Sequence, residues 1–192
     1  MLIPTKLYGG DVELTFNEFK HSYYVDSEKI PSVTTVLSVI NKPALVGWAA
    51  KMAVAFIENE LKPGVAMDEI QIATMLDMAR KSWNKKRGDA ADMGKFVHNW
   101  ISEYILGRKP QMPVNEQLQE AILAFLDWEK KHKVKFLLTE EPIYSRQHNY
   151  AGTLDFICRI DGELVLGDIK TSSGIWTEYW LEVAGYRNAR VE

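Results

Sequence analysis

The chain has 192 residues, of which 46% are hydrophobic and 26% charged, a composition typical of a soluble globular protein with one substantial core. Its formal net charge of −3 gives no overall basic signature, so nucleic-acid binding would need a local basic groove. A single cysteine, Cys158, excludes an internal disulfide framework and a four-cysteine zinc or iron–sulfur site within this chain. The start, MLIPTKLYGG, lacks the regions of a signal peptide, and no apolar run approaches about 18 residues. We therefore expect a soluble, cytoplasmic protein with no membrane contact.

The first part of the chain predicts a β-hairpin and then helices. Residues 12–30 contain two β-rich runs with turn residues between them. Ser32 suits the N-cap of a short helix through residue 39, and Pro43 suits the first turn of a helix that reaches about residue 61. A further helix is predicted over residues 67–85.

The second part begins with the clearest helix of the sequence. Seven apolar residues recur at three- and four-residue spacing before Gly107, namely Met93, Phe96, Val97, Trp100, Ile101, Tyr104 and Ile105. Residues 115–132 predict another amphipathic helix. The hydrophobic period then changes to two and predicts strands at 134–144, 149–160 and 163–171, before residues 176–189 return to helix.

This order of elements predicts an α/β fold that is not a repeating βαβ pattern. A small mixed β-sheet would be flanked by helices, with an N-terminal β-hairpin and a helical lobe beside it. We expect one domain over residues 1–192, with a hairpin and helical region at 1–85 and a core at 86–192.

The dipeptide Asp161-Gly162 lies between the last two predicted strands and is a strong signal for a two-residue hairpin turn. If the turn is that tight, Ile160 pairs with Glu163, and counting back places Asp155 directly opposite Asp168. Like charges in such a pair lie roughly 5 Å apart at Cβ and destabilise the sheet.

A divalent cation would resolve this repulsion. Alternation along the strands predicts that Asp155, Asp168 and Lys170 emerge on one face. Mg²⁺ and Mn²⁺ accept carboxylate oxygens and retain open positions for water and phosphate, and a lysine can stabilise the charge that develops during phosphodiester hydrolysis. The alternative is an ordinary solvent-facing hairpin in which Lys170 simply offsets Asp168.

These residues also resemble a known family. The runs "GTLD" and "GDIKTS" resemble the core of the PD-(D/E)XK nuclease superfamily, with Asp155 and the segment 168–170 in its signature positions. "EPIYS", "GKFVH" and "IPSVTTVLSV" followed by "KPALVGWA" are similar to elements of its RecB-like exonuclease branch, which includes phage nucleases and mitochondrial genome maintenance exonucleases. The resemblance covers about residues 22–190 and implies a restriction-endonuclease-like core.

The resemblance implies roles for individual residues. His98, Asp155 and Asp168 would bind the metal together with the backbone carbonyl of Ile169. Lys170 would be the catalytic lysine, and the family also implies a supporting acid, Glu141. A nitrogen ligand shifts the preference somewhat from Mg²⁺ toward Mn²⁺.

The sequence departs from the family's pattern in two places. Glu182 and Tyr186 stand where the branch usually has Gln-x-x-x-Tyr, and glutamate cannot donate a hydrogen bond unless it is protonated. The chain also ends soon after Tyr186, which suggests a shortened or compact member. Candidate substrate-binding residues are Glu182, Tyr186, Lys85, Lys86, Arg87 and Ser32.

We therefore expect a Mg²⁺- or Mn²⁺-dependent DNA nuclease without an iron–sulfur cluster, an exonuclease by analogy, acting on single strands or duplex ends in repair, recombination or phage DNA processing. The alternatives are a catalytically inactive module of the same fold that binds DNA or protein, and an endonuclease or RNA-cleaving member. Trp83, Trp176 and Tyr179 could stack on unpaired bases. Packing is the expected role of each.

Overall fold

The structure is a computed structural model that describes residues 1–40 and 43–192. Over these residues it is a mixed α/β protein with two antiparallel sheets and several helices. Its elements in chain order are β1 (Leu2–Leu7), β2 (Val12–Asn17), β3 (Ser22–Val25), β4 (Glu28–Ile30), α1 (Val33–Leu37), α2 (Pro43–Glu60), α3 (Glu69–Ile105), α4 (Glu116–His132), β5 (Lys135–Ser145), β6 (Tyr150–Ile160), β7 (Glu163–Gly167) and α5 (Thr177–Val191).

The N-terminal sheet has the strand order β1-β2-β3-β4, with each strand antiparallel to its neighbour. The predicted hairpin is confirmed as β2 and β3, but the sheet is larger than predicted. β1 was missed because it contains Pro4, which suits only an edge strand, and β1 is such an edge. The turn into β4 uses Asp26 and Ser27, both at positive φ, instead of a strong Asn-Gly or Asp-Gly signal.

The second sheet has the order β5-β6-β7. Its strands are antiparallel, whereas the sequence predicted a mixed sheet. A parallel contact does occur as an isolated bridge between Ser32 and Ala151. The β5–β6 register shifts by one residue between Phe136 and Leu138.

Apolar clusters that include α1, α3, α4 and α5 pack around this sheet and the segment after it. One cluster joins α1 and α5 to β5 and β6 and consists of Val33, Ile143, Leu154, Ile157, Tyr186 and Ala189. The other joins the C-terminal turns of α3 to α4 and consists of Val97, Trp100, Ile101 and Ile122, with Ile169 packed against it. Ile169 therefore anchors the chain after β7 to the helices.

The helix ends follow their sequence signals. The Ser32 hydroxyl caps α1 by accepting from the Thr35 amide, as predicted, and Asn115 caps α4 in the same way. The helix α3, however, is continuous from Glu69 to Ile105, where the sequence predicted a break after residue 85. An isolated glycine such as Gly88 is tolerated inside a long helix, and its neighbours are mostly good helix formers.

The chain divides into two compact units. The first comprises Met1–Ile40 and Phe96–Glu192, and the second comprises Asn41–Lys95. The N-terminal sheet and the second sheet thus both belong to the first unit. Among the described residues, no helix is long and apolar enough to cross a membrane.

Candidate active site

The hairpin of β6 and β7 forms in the register that the sequence predicted. Ile160 pairs with Glu163, and the pairing continues as far as Phe156 and Gly167. Asp161 and Gly162 both have positive φ, as the favoured two-residue turn requires. The next rung would join Asp155 and Asp168, but β7 ends at Gly167 instead of near residue 171 as predicted.

At the end of the β6–β7 ladder, a side chain instead of the backbone accepts the next hydrogen bond. Oδ2 of Asp155 accepts a hydrogen bond from the amide of Ile169 at 2.5 Å. Just before this point the ring of Phe156 lies against Gly167, so closely that a Cβ there would be 2.0 Å from the Phe156 Cζ atom. Only glycine fits at position 167, so packing against Phe156 explains why the "GDIK" run begins with glycine.

His98 approaches Asp155 from the last turns of α3. Its Nδ1 atom lies 3.2 Å from Oδ1 of Asp155, next to the buried Val97 on the same helix. Burial alone would lower the pKa of His98, but the hydrogen bond and the charge of Asp155 outweigh burial and raise it. The pair therefore favours a protonated imidazole in this state.

Lys170 lies between two carboxylates. Its Nζ atom is 2.6 Å from Oδ2 of Asp168 and 3.0 Å from Oε2 of Glu182, and it stands 5.1 Å from the centre of the Tyr179 ring. Burial would lower the pKa of Lys170, but its contacts with Asp168 and Glu182 outweigh burial and raise it. Lys170 is thus held as an ammonium ion.

The Glu182–Tyr186 pair supports this lysine from α5. The Tyr186 hydroxyl donates to Oε1 of Glu182 at 3.1 Å, while the other carboxylate oxygen faces Lys170. Tyr186 packs directly on β6, since a Cβ at Gly152 would lie 2.7 Å from its Cε1 atom. The glycine of "GTLD" is therefore required by the tyrosine that holds Glu182.

Asp168 is the most strongly perturbed carboxyl group of the site. Its side chain is only 6% exposed, and burial raises the pKa of Asp168 to about 6 although Lys170 opposes the shift. The charges of Asp155 and Glu182 act in the same direction as burial. The site therefore concentrates more negative charge than its one lysine offsets.

Glu140, which was not among the residues predicted from the sequence, also faces the acids of this site. The β5–β6 register pairs Thr139 with Phe156 and Glu141 with Leu154, so Glu140 is the residue opposite Asp155. Glu140 has a left-handed φ of 52° that interrupts the ladder at this rung. Desolvation and the charge of Asp155 raise the pKa of Glu140, although much of the residue remains exposed. The choice between the two glutamates depends on strand register, which the sequence of β5 does not reveal.

The other candidate residues have different settings. Glu141 lies opposite the fully buried Leu154. The Ser32 hydroxyl is engaged by the amide of Thr35 at 3.0 Å and by neighbouring threonine hydroxyls. Lys85, Lys86 and Arg87 are exposed residues of the second unit, where the Arg87 guanidinium lies 5.0 Å from the Trp83 ring centre.

Within residues 1–40 and 43–192 there is no cluster of three His, Cys, Asp or Glu side chains spaced as ligands of one ion. The donors instead pair with each other and with Lys170. Their chemistry still fits a hard divalent cation, because carboxylate oxygens dominate the set and the most buried of them carries a raised pKa.

Comparison with known proteins adds no family assignment: the chain matches no protein-family model and has no significant match among curated proteins.

Proposed function

We propose that this protein is a divalent-metal-dependent DNA nuclease with a restriction-endonuclease-like core. The observation that carries the proposal is the grouping of Asp155, Asp168 and Lys170 at the open end of one hairpin. A structural ion pair would need one acid beside the lysine. Here two acids flank it, and His98 and Glu140 add further donors around Asp155.

Asp155 and Asp168 are the residues that would hold Mg²⁺ or Mn²⁺, with His98 as the nitrogen donor. A cation at these acids would neutralise charge on the phosphate and lower the pKa of an attacking water. It would also relieve the accumulated negative charge that raises the pKa of Asp168.

Lys170 would act as a fixed positive charge. Its raised pKa keeps it protonated near neutral pH, so it cannot serve as a general base there. It can donate a hydrogen bond to the attacking water or to a phosphate oxygen and stabilise the charge that develops there. Glu182 and the ring of Tyr179 restrict where its long side chain can point.

The experiment is hydrolysis of end-labelled single- and double-stranded DNA with Mg²⁺, Mn²⁺ or EDTA. We expect metal-dependent cleavage that falls by about 100-fold or more in Asp168→Asn and in Lys170→Ala. Lys131→Ala, an exposed lysine on α4, is the matched control and should cleave like the wild type. Label release as mononucleotides from an end would indicate an exonuclease, and internal fragments an endonuclease.

Circular dichroism of each variant separates lost chemistry from lost folding. If the folded wild-type protein cleaves neither DNA nor RNA with either metal, the nuclease proposal is wrong and a non-catalytic binding module takes its place. If cleavage survives in both variants, the assignment of the site is wrong.

A further inference from the structure

We infer that Trp176 and Trp180 form a stacking platform for unpaired nucleobases beside the candidate active site. This inference rests on the proposed nuclease function and deepens it, because it assigns single-stranded nucleic acid as the form of substrate that the site receives. The two residues are called the tryptophan pair below.

The exposure of the tryptophan pair is the first observation. Of the six tryptophans in the chain, Trp48, Trp83, Trp100 and Trp128 are buried or half-buried, as packing residues should be. Trp176 and Trp180, in contrast, are 49% and 69% exposed. Neither indole makes a hydrogen bond or a ring contact with any residue that the structure describes. Large exposed aromatic surface of this kind usually marks a binding site.

The second observation is the spacing of the two rings. Trp176 is the N-cap residue of α5, with an extended backbone (φ −104°, ψ 155°), and Trp180 lies four positions later inside the helix, so both side chains extend from the start of α5. Four residues correspond to a rise of about 6 Å along a helix. Two successive bases of a single strand can meet two rings arranged in this way, because every base presents a flat π-face.

The tryptophan pair also belongs to the same helix as residues that contact Lys170 of the candidate active site. Tyr179 lies between the two tryptophans in sequence, and its ring centre is 5.1 Å from Nζ of Lys170. Glu182, on the next turn of α5, contacts the same ammonium group at 3.0 Å. A strand whose phosphate reaches Lys170 would therefore run past the tryptophan pair.

A positive charge on the flank of α5 that carries Trp180 favours a polyanion over an apolar protein as the binding partner. Arg187 is exposed and follows Trp180 by seven residues, which places it on that flank of α5. It forms no ion pair within the described residues, so its guanidinium is free to contact a phosphate. The nearby aliphatic residues Ile175 and Leu181 are also exposed, and they make a protein-binding surface the competing interpretation.

The test is the affinity of the full chain for fluorescein-labelled oligothymidylate and oligouridylate in EDTA, where no metal-dependent hydrolysis takes place. We expect Trp176→Ala and Trp180→Ala each to weaken binding by about 5- to 150-fold, the range of one base–aromatic stack. Trp180→Phe should retain most of the affinity, and the matched aliphatic control Leu181→Ala should bind within about twofold of the wild type. An abasic oligonucleotide of equal charge and a blunt duplex should be insensitive to all four variants.

Three results would overturn the inference. The alanine variants could bind oligothymidylate as tightly as the wild type. Trp180→Leu could bind as tightly as Trp180→Phe, which would mean apolar contact without stacking. The alanine variants could change the sedimentation of the protein while leaving its affinity for DNA intact, which would assign this surface to a second copy. Because binding is measured without metal, failure of the platform and failure of the nuclease proposal give different results.

Discussion

The carboxylate of Asp155 and the amide of Ile169 are joined by a hydrogen bond of 2.5 Å, at the rung where the β6–β7 ladder would otherwise continue. This bond fixes Asp155 while its other oxygen faces His98. In the chain after β7, Lys170 then lies 3.0 Å from Glu182 of α5. One side chain thus both ends a strand and orients the candidate site.

The first prediction concerns pH. Burial raises the pKa of Asp168 from its ordinary value of 3.8 to about 6, so the folded protein binds this proton more tightly than the unfolded chain does. By linkage, the free energy of unfolding of the metal-free protein should fall as pH rises from about 4 through about 6, by up to about 3 kcal/mol from this group. The raised pKa of His98 acts in the same direction at higher pH, above its ordinary value of 6.5.

Urea unfolding in EDTA across this pH range measures the effect. Other carboxylates titrate in the same window, so the quantity to compare is the difference between the wild type and Asp168→Asn. That difference should shift in favour of the asparagine variant as pH rises. A difference that is constant with pH would contradict the prediction.

The second prediction concerns Glu182. Its charge helps to raise the pKa of Lys170, so Glu182→Gln should move the alkaline limb of the pH–rate profile to lower pH. Tyr186→Phe keeps the charge and should leave that limb in place, which makes it the matched control. Glu182→Ala also removes a buried partner of Lys170 and should lower the free energy of unfolding by about 1–3 kcal/mol. An unchanged alkaline limb in Glu182→Gln would mean that Glu182 does not act through Lys170.

The third prediction concerns Gly152 of the "GTLD" run and Gly167 of the "GDIKTS" run. Gly152→Ala would place a Cβ 2.7 Å from the Tyr186 ring, and Gly167→Ala would place one 2.0 Å from Cζ of Phe156. Each should lower the free energy of unfolding by about 1–3 kcal/mol, the usual cost of overpacking. Gly88→Ala, in the interior of α3 with nothing near its Cβ, should instead stabilise the protein by about 0.5–1 kcal/mol. Chemical denaturation compares all three, and equal effects would show that packing is not the reason for the motif glycines.

The fourth prediction separates two adjacent glutamates. Glu140 lies opposite Asp155 and senses its charge, whereas Glu141 lies opposite Leu154. Glu140→Gln should therefore raise the Mg²⁺ concentration for half-maximal activity by about 10- to 100-fold, as loss of a supporting carboxylate does in other metal sites. Glu141→Gln is the matched control at the neighbouring residue and should change this Mg²⁺ concentration much less. The reverse order would return the supporting role to Glu141.

The sequence predicted those parts of the site that local chemistry determines. Asp161-Gly162 selected the turn, and the turn set the register that pairs Phe156 with Gly167, the neighbours of Asp155 and Asp168 in sequence. The end of β7 was not predictable, because it depends on the hydrogen bond between Asp155 and Ile169 and on the contact of Phe156 with Gly167. Helix periodicity placed Val97 in a core, but not the approach of His98 to Asp155 across 57 positions of sequence.

Other elements were harder to predict, because tertiary context overrides their local sequence signals. Pro4 is tolerated because β1 is a sheet edge, which the local sequence does not reveal. Glu140 could not be distinguished from Glu141, because the irregular backbone at residue 140 and the register shift near residue 137 decide which side chain faces Asp155.

The two-residue turn at Asp161 and Gly162 has a consequence for how this protein can change. Loop tips are normally where natural variants gain or lose residues at little cost. Here a single inserted residue that slid the register would reverse the faces of the following strand and carry Asp168 away from Asp155. This hairpin tip should therefore tolerate exchange of side chains compatible with the turn, but not a change in length.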